Sequence, residues 1–409
     1  MPTVVQINTY NGGSTGSIAH NINEEAKRNG WTTYFYYGRN WRNKANETGE
    51  AKTGSTKFGK INTLFHVLVT RLFDRQGLAS NRDTRRLIND LKRIKPDIIH
   101  LHNIHGYYLN YKILFKYLKD SDTPVVWTLH DCWTMTGHCA HFDAAGCNKW
   151  ETGCQKCPQK RAYPATLLFE RSKKNYKEKL KAFSSIKRLT MVPVSNWLGD
   201  IVKRSFLKDK DITVIHNGID INTFRFSQSN IKEQHGIGGK KIVLGVAAPW
   251  SKRKGLEDFK QLYEVLPKQE YKIVMIGLSD EQIKQLPVGI IGLPRTNTAA
   301  ELARWYSAAS VFVNCTYEDN YPTTNLEAIS CGTPVVTYKT GGSPESLTPY
   351  TGRIVEQGNI EMTANAIEEL CSLDRDELRK HCTTYAIAHF DKNECFQKYV
   401  NLYESLLSE

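Results

Sequence analysis

The 409-residue chain has no apolar run long enough to cross a bilayer as a helix. Its first residues, Met1-Pro2-Thr3-Val4-Val5-Gln6, lack the basic start of a secretory signal and run straight into a strand pattern. This predicts a cytoplasmic protein. The interleaved basic and aromatic patterns of nucleic-acid modules are missing, so no nucleic-acid partner is expected. No Asp-x-Asp pair stands at the end of a strand pattern, where a catalytic divalent ion would be held. The second half also lacks any excess of positive charge. Residues 201–409 carry 24 Lys and Arg against 26 Asp and Glu, whereas residues 1–200 carry 31 against 16. The net charge of +13 therefore belongs to the first half. Besides solubility, such an imbalance suits an anionic partner, such as the inner face of a cell membrane or a phosphorylated lipid.

Strand and helix patterns alternate along the chain and restart near Lys241. That predicts an α/β protein of two Rossmann-like domains. The boundaries read as 1–216 for the first domain, with a Cys-rich insertion at 132–160, then 217–388 for the second. A last helix, within 389–409, is expected to pack back toward the first domain. Val4 to Asn8 is a short buried strand, and Asn11-Gly12-Gly13-Ser14 leads from it into a helix. Gly12 and Gly13 allow the backbone to approach a ligand closely there, although tight turns want glycine anyway.

The most informative stretch runs from Cys315 to Val336. Ser310 to Asn314 reads as a buried parallel strand. A polar loop with Asp319 and Pro322 follows. Thr323, Thr324 and Asn325 are helix-start residues, Leu326 to Cys331 continues the helix, and Gly332 suits its end. A loop at a strand's carboxyl end that runs into a helix N-terminus is where open α/β sheets bind ligands, and its amides suit phosphate. Asp319 in the loop and Glu327 on the helix bracket this turn, and Glu327 could accept hydrogen bonds from ribose hydroxyls. Earlier in the same half, Lys252-Arg253-Lys254-Gly255 follows the strand Lys241 to Ala247. Three cations at a strand end suit a diphosphate; a solvated charge cluster is the plainer alternative.

The stretch Glu318-Asp319-Asn320-x-Pro322, Leu326-Glu327-Ala328, Cys331-Gly332-Thr333-Pro334-Val335-Val336 resembles the carboxylate-x7-Glu region of the retaining family-4 glycosyltransferases of the GT-B fold, in bacterial polysaccharide-type form. Lys254-Gly255 matches the same family, whereas its usual Arg position holds Ala247 or Ala248, so Lys252 or Arg253 would substitute. The resemblance implies two Rossmann-like domains facing a cleft, a nucleotide diphosphate sugar donor, and a glycan or lipid-linked acceptor. It implies a donor site of Lys252, Arg253, Lys254, Arg295, Asp319, Thr323, Thr324, Asn325 and Glu327, with Gly12 and Gly13 facing it from the first domain. Lys254, Asp319 and His130 take the catalytic positions, His130 because Thr128-Leu129-His130-Asp131 matches the place of a family His near the reacting sugar. No cofactor is required for transfer. A GT-B nucleotide-sugar epimerase would share the fold, and a zinc-containing nucleic-acid-binding protein is the more distant rival.

Half of the ten cysteines lie between Cys132 and Cys157. Cys139, Cys147, Cys154 and Cys157 offer four thiolates, the number a structural zinc takes; a reduced packed loop is the alternative. His100, His102 and His105 are read as core or loop histidines rather than a metal set. Ala165 to Phe183 reads as one basic helix. Ile61 to Phe73 reads as an amphipathic helix flanked by Lys57, Lys60, Arg71 and Arg75. It could lie in a membrane interface, but the expectation is that its apolar face packs inward, as in most globular domains.

Overall fold

The computed structural model describes residues 1–39 and 60–408; most of the irregular basic stretch at 38–60, with Lys57, and the side chain of Lys60 lie outside the described residues. The chain divides into two compact units, Met1–His216 with Phe396–Glu409, and Asn217–Cys395.

In the first unit the strands are β1 (Thr3–Tyr10), β2 (Thr32–Arg39), β3 (Ile98–Leu101), β4 (Val125–Leu129), β5 (Leu189–Pro193) and β6 (Asp211–Ile212). They form one parallel sheet in the order β2-β1-β3-β4-β5-β6. The central strands are apolar and β-branched and buried along their length, as strands covered by helices on both faces must be. The order reverses between β1 and β3, so the loops leaving these two strands diverge and open a crevice at their carboxyl ends. Several polar residues at the centre of this core are paired with one another. His100 lies 2.6 Å from the Tyr403 hydroxyl and 2.8 Å from Thr128 Oγ1, and Thr128 donates to Tyr399. Both tyrosines belong to the last helix, Lys392–Ser408, whose part from Phe396 onward belongs to this unit.

The second unit contains β7 (Lys241–Val246), β8 (Tyr271–Ile276), β9 (Ile291–Leu293), β10 (Val311–Asn314), β11 (Val335–Tyr338) and β12 (Gly352–Val355). These too are all parallel, in the order β12-β11-β10-β7-β8-β9. The reversal falls between β7 and β10. The loops after β7 and β10 carry the two motifs singled out from the sequence, Lys252–Gly255 and Cys315–Pro322. Two Rossmann-like units are therefore present, each with one switch point.

Two sequence expectations fail. The basic helix begins only at Ser172 and ends at Phe183. Residues 165–171 are held out of it because Leu167 and Phe169 donate their amides to the carbonyls of Arg71 and Leu72, at 2.7 and 3.1 Å. The helix Lys60–Phe73 forms, but its apolar face does not pack inward. Ile61, Leu64, Phe65 and Leu68 are exposed, whereas His66 and Thr70 are fully buried. The polar side is the anchored one: His66 Nδ1 lies 2.9 Å from Ser80 Oγ, its Nε2 accepts from the Gly77 amide, and Asn62 donates to Asp83. Helical period fixes which residues share a face, not which face meets the core.

Candidate functional site

At the second unit's switch point, the basic turn and the acidic loop are built onto each other. Gly255 has φ +75°, and a Cβ there would fall 2.4 Å from the Cys315 carbonyl oxygen, so only glycine lets the turn come this close to the end of β10. Across that approach the Tyr317 amide donates to the Arg253 carbonyl at 2.8 Å, and Arg253 Nη1 donates to the Glu318 carbonyl at 2.7 Å. Lys254 Nζ meets Asp319 Oδ2 at 2.5 Å, while the other oxygen of Asp319 accepts from the Asn320 amide. Of the three adjacent cations, Arg253 braces the loop, Lys254 is turned to the carboxylate, and Lys252 is exposed.

The helix Thr323–Ser330 starts at this loop, with Pro322 as its extended cap, and Gly332 follows its end with φ +77°. Thr323 and Thr324 occupy the first turn and are half-buried. Asn325 differs. Its amide donates to the Pro322 carbonyl, and its fully buried side chain accepts from Asn314 and donates to Ser346. It ties the helix to β10 and to the 343–346 turn. Glu327, one turn on, accepts from the Tyr306 hydroxyl at 3.1 Å. Burial pushes its carboxyl up to about 7, against the hydrogen bonds from Tyr306 and Thr323 that favour the carboxylate. Asp319 and Glu327 are thus brought to the same strand end, one in the loop and one on the helix. Arg295 is exposed in the loop after β9. Tyr306 was not legible as a site residue, since it lies in a different helix, Ala299–Ala308, and nothing in that helix's pattern marks it.

In the first unit, Gly12 is extended and Gly13 has φ +72° at the start of the helix Gly13–Arg28. A Cβ at Gly16 would sit 2.8 Å from the Asn11 carbonyl carbon, so the turn is held tight from inside. His130 follows β4 and stacks on His102, with Nε2 3.2 Å from His102 Nδ1; His102 in turn contacts Gln6. Burial pushes the His130 imidazole down to about 4, with Asp131 opposing, so the ring is neutral at pH 7. Asp131 bonds His105 Nε2 at 2.8 Å, and His105 Nδ1 lies 3.0 Å from the Tyr163 hydroxyl. The three histidines read as core or loop residues are therefore partnered within the unit.

Cys139, Cys147, Cys154 and Cys157 line one small pocket together with His138 and Trp150. His138 Nδ1 lies 2.6 Å from Asp74, and none of the ten cysteines is in a disulfide. Among the described residues, no three His, Cys, Asp or Glu side chains are grouped so as to hold a metal ion. What the segment does have is an aromatic core, Phe142 stacked on Trp150 at 5.0 Å, and a buried lysine. Lys179 Nζ donates to the Trp133 and Thr136 carbonyls and lies 3.3 Å over the Trp133 ring. The bond from Cys139 holds the Cys157 thiol below its ordinary value, against burial, while Cys139 is pushed up by the same bond and by burial. Cys157 is therefore expected to react first with iodoacetamide at pH 6.5, where ordinary thiols are protonated. Its rate should fall with pH as the thiolate is protonated. Peptide mass spectrometry reads this, and faster labelling of Cys147 or Cys371 would disprove it.

Residues 15–223 match the family model described as Glycosyltransferase Family 4, and residues 227–389 match that of Glycosyl transferases group 1. The chain is 24% identical to the putative colanic acid biosynthesis glycosyl transferase WcaC of Escherichia coli K12, over 97% of each chain. Among solved structures it is similar to a sucrose-phosphate synthase from Thermosynechococcus elongatus (TM-score 0.73, 16% identity, 100% of both chains). It is also similar to Anabaena Alr3699/HepE, solved in complex with UDP-glucose (TM-score 0.67, 14% identity, 98% of this chain and 99% of that one). With two switch-point sheets and a family match over half its length, the chain belongs to glycosyltransferase family 4 and is a glycosyltransferase of the GT-B fold.

Proposed function

We propose that the protein transfers a sugar from a nucleotide diphosphate sugar, with retention of anomeric configuration, to a hydroxyl of a glycan or lipid-linked glycan in surface polysaccharide biosynthesis. The observation that carries this reading is the convergence of Lys254, Asp319 and the Thr323–Ser330 helix start at one strand end. A departing nucleoside diphosphate gathers charge on its phosphate oxygens, so the help it needs is a fixed cation and fixed dipoles. Lys254 is the cation, and the helix N-terminus supplies the dipole. Glu327 is assigned to the ribose hydroxyls, Asp319 to the donor sugar, and Arg295 to the base. In the first unit, the Gly12–Gly13 turn and His130 are assigned to the reacting sugar, His130 as a neutral hydrogen-bonding imidazole. Transfer is assigned to side chains and backbone alone, with no catalytic divalent ion. The UDP-glucose held by the Anabaena protein supports the donor class, and the colanic acid setting of the E. coli relative supports the polysaccharide one.

The test is a panel of UDP, GDP and ADP sugars, followed by thermal shift and by NMR of the anomeric proton in the product. One nucleotide class should raise the melting temperature by several degrees, since a ligand that binds only the folded state stabilises it. The product should keep the donor's anomeric configuration. Inversion overturns retention, an epimerised free nucleotide sugar makes the protein an epimerase, and no shift with any nucleotide overturns the donor site.

A further inference from the structure

The helix Lys60–Phe73 and the loop at 163–169 together present apolar side chains to solvent. Ile61, Leu64, Phe65 and Leu68 form a stripe at helical spacing and are between 53 and 81% exposed, and Leu167 and Leu168 beside them are 64 and 65% exposed. Single exposed leucines are ordinary, but a contiguous apolar patch on a folded unit marks an interaction surface. The patch is built rather than frayed. The Arg71 and Leu72 carbonyls accept the Leu167 and Phe169 amides, Thr166 Oγ1 also donates to Arg71, and the Phe73 and Phe169 rings stack in parallel at 5.7 Å. The helix cannot roll its apolar stripe inward, because on the opposite side His66 is bonded to Ser80 and to the Gly77 amide, and Asn62 to Asp83.

We infer that this face is a docking surface for an anionic lipid bilayer, seating the first unit at the membrane interface. The charge around it selects that occupant. Arg71 and Arg75 on the helix side, and Lys160, Arg161, Lys173 and Lys174 around the loop, are exposed cations. Among the described residues, the acidic groups beside this face are withdrawn: Asp74 is buried against His138 and the Arg171 amide, Asp83 is buried against Asn62 and Arg86, and Glu170 accepts from the Ser172 and Cys157 amides. Apolar side chains that project from a ring of cations match a headgroup layer over acyl chains. A second copy of the same face would bring six cations against six. This inference goes beyond the transferase reading and stands without it, because lipid binding needs no donor.

The experiment is co-sedimentation of the full chain with vesicles of phosphatidylcholine alone and with about 30 mol % phosphatidylglycerol. Wild type should partition to the anionic vesicles about tenfold or more better than to the neutral ones, and high salt should weaken it. The double variants Leu64→Ser/Phe65→Ser and Leu167→Ser/Leu168→Ser should each lose about tenfold of this partitioning with an unchanged melting temperature, since the side chains are already in water. Lys173→Glu/Lys174→Glu should lose the preference for anionic vesicles. Wild type that binds neither vesicle, or apolar variants that bind as wild type does, would overturn the inference. A concentration-dependent dimer abolished by Leu64→Ser/Phe65→Ser, without vesicle binding, would also overturn it and assign the face to a second copy.

Discussion

Lys254→Ala is expected to lower turnover by about two to three orders of magnitude, with a smaller change in donor KM, the scale at which loss of one preorganised charge-stabilising group shows. Lys254 Nζ sits on Asp319 Oδ2, so the ammonium is held in place at the strand end proposed to receive the diphosphate. Its charge matters most as the sugar–oxygen bond breaks and the diphosphate takes up the electron pair. An interaction that grows toward the transition state appears in kcat. The neighbouring cations give the controls. Lys252 is exposed, so Lys252→Ala should cost less than about fivefold, the scale of a screened surface charge. Arg253→Ala removes the bond to the Glu318 carbonyl and should act through the loop, lowering stability along with activity. Lys254→Arg keeps the charge but puts a planar fork where a point charge stood, so it should recover only part of the rate. Addition of a chelator should leave wild-type turnover within about twofold, because charge stabilisation is assigned to side chains where other transferases use a metal. If Lys252→Ala proved the most damaging of the three, the clamp would be misassigned.

Much of this site could be read from the sequence because it is local. The strand β10, its loop and the helix Thr323–Ser330 follow one another within twenty residues, and each is marked by its own residue types: β-branched strand, proline, threonines at the helix start, glycine after the end. The restart at Lys241 likewise follows from alternation alone. What the sequence did not show depends on pairs far apart in the chain. Tyr306 meets Glu327 from another helix, Asp74 meets His138 across sixty-four positions, and Arg71 and Leu72 draw Leu167 and Phe169 out of a stretch whose composition suits a helix. The outward face of Lys60–Phe73 is the clearest case. Its periodicity is plain, but the side that packs is decided by Ser80, Gly77 and Asp83, whose positions the helix itself does not encode. Asn325 is expected at the donor as a helix-start residue, yet its side chain is spent on Asn314 and Ser346 and its amide on Pro322, so the Thr323 and Thr324 amides and Glu327 remain the groups of that helix proposed to meet the donor.

Glu327→Gln should separate the cost of the site from its use. Burial raises the Glu327 carboxyl from 4.5 to about 7, so the folded protein prefers the acid. The sign follows from linkage: the stability gained from that preference is fully present below the unfolded value and is lost as pH rises through about 7. At pH 8 the wild type therefore keeps an ionised carboxylate in a half-buried position with Tyr306 and Thr323 as partial compensation. The glutamine variant would carry no such charge. Relative to wild type, Glu327→Gln should gain on the order of 1–3 kcal/mol at pH 8, discounted for the partial exposure, and lose this advantage by about pH 5. Binding should move the other way. A carboxylate accepts two ribose hydroxyls, whereas the amide nitrogen of glutamine can only donate to one of them. Nucleotide affinity should fall about tenfold to a hundredfold in the variant, in line with loss of a charge-assisted hydrogen-bond pair. In wild type, affinity should strengthen as pH rises through about 7, since the ligand favours the ionised form, and in the variant it should be flat across that range. Thermal melts at pH 5 and 8, paired with nucleotide titrations at the same pH values, measure both halves. A variant less stable than wild type at pH 8 would mean that Glu327 is a structural anchor for Tyr306. Undiminished affinity would remove it from the ribose.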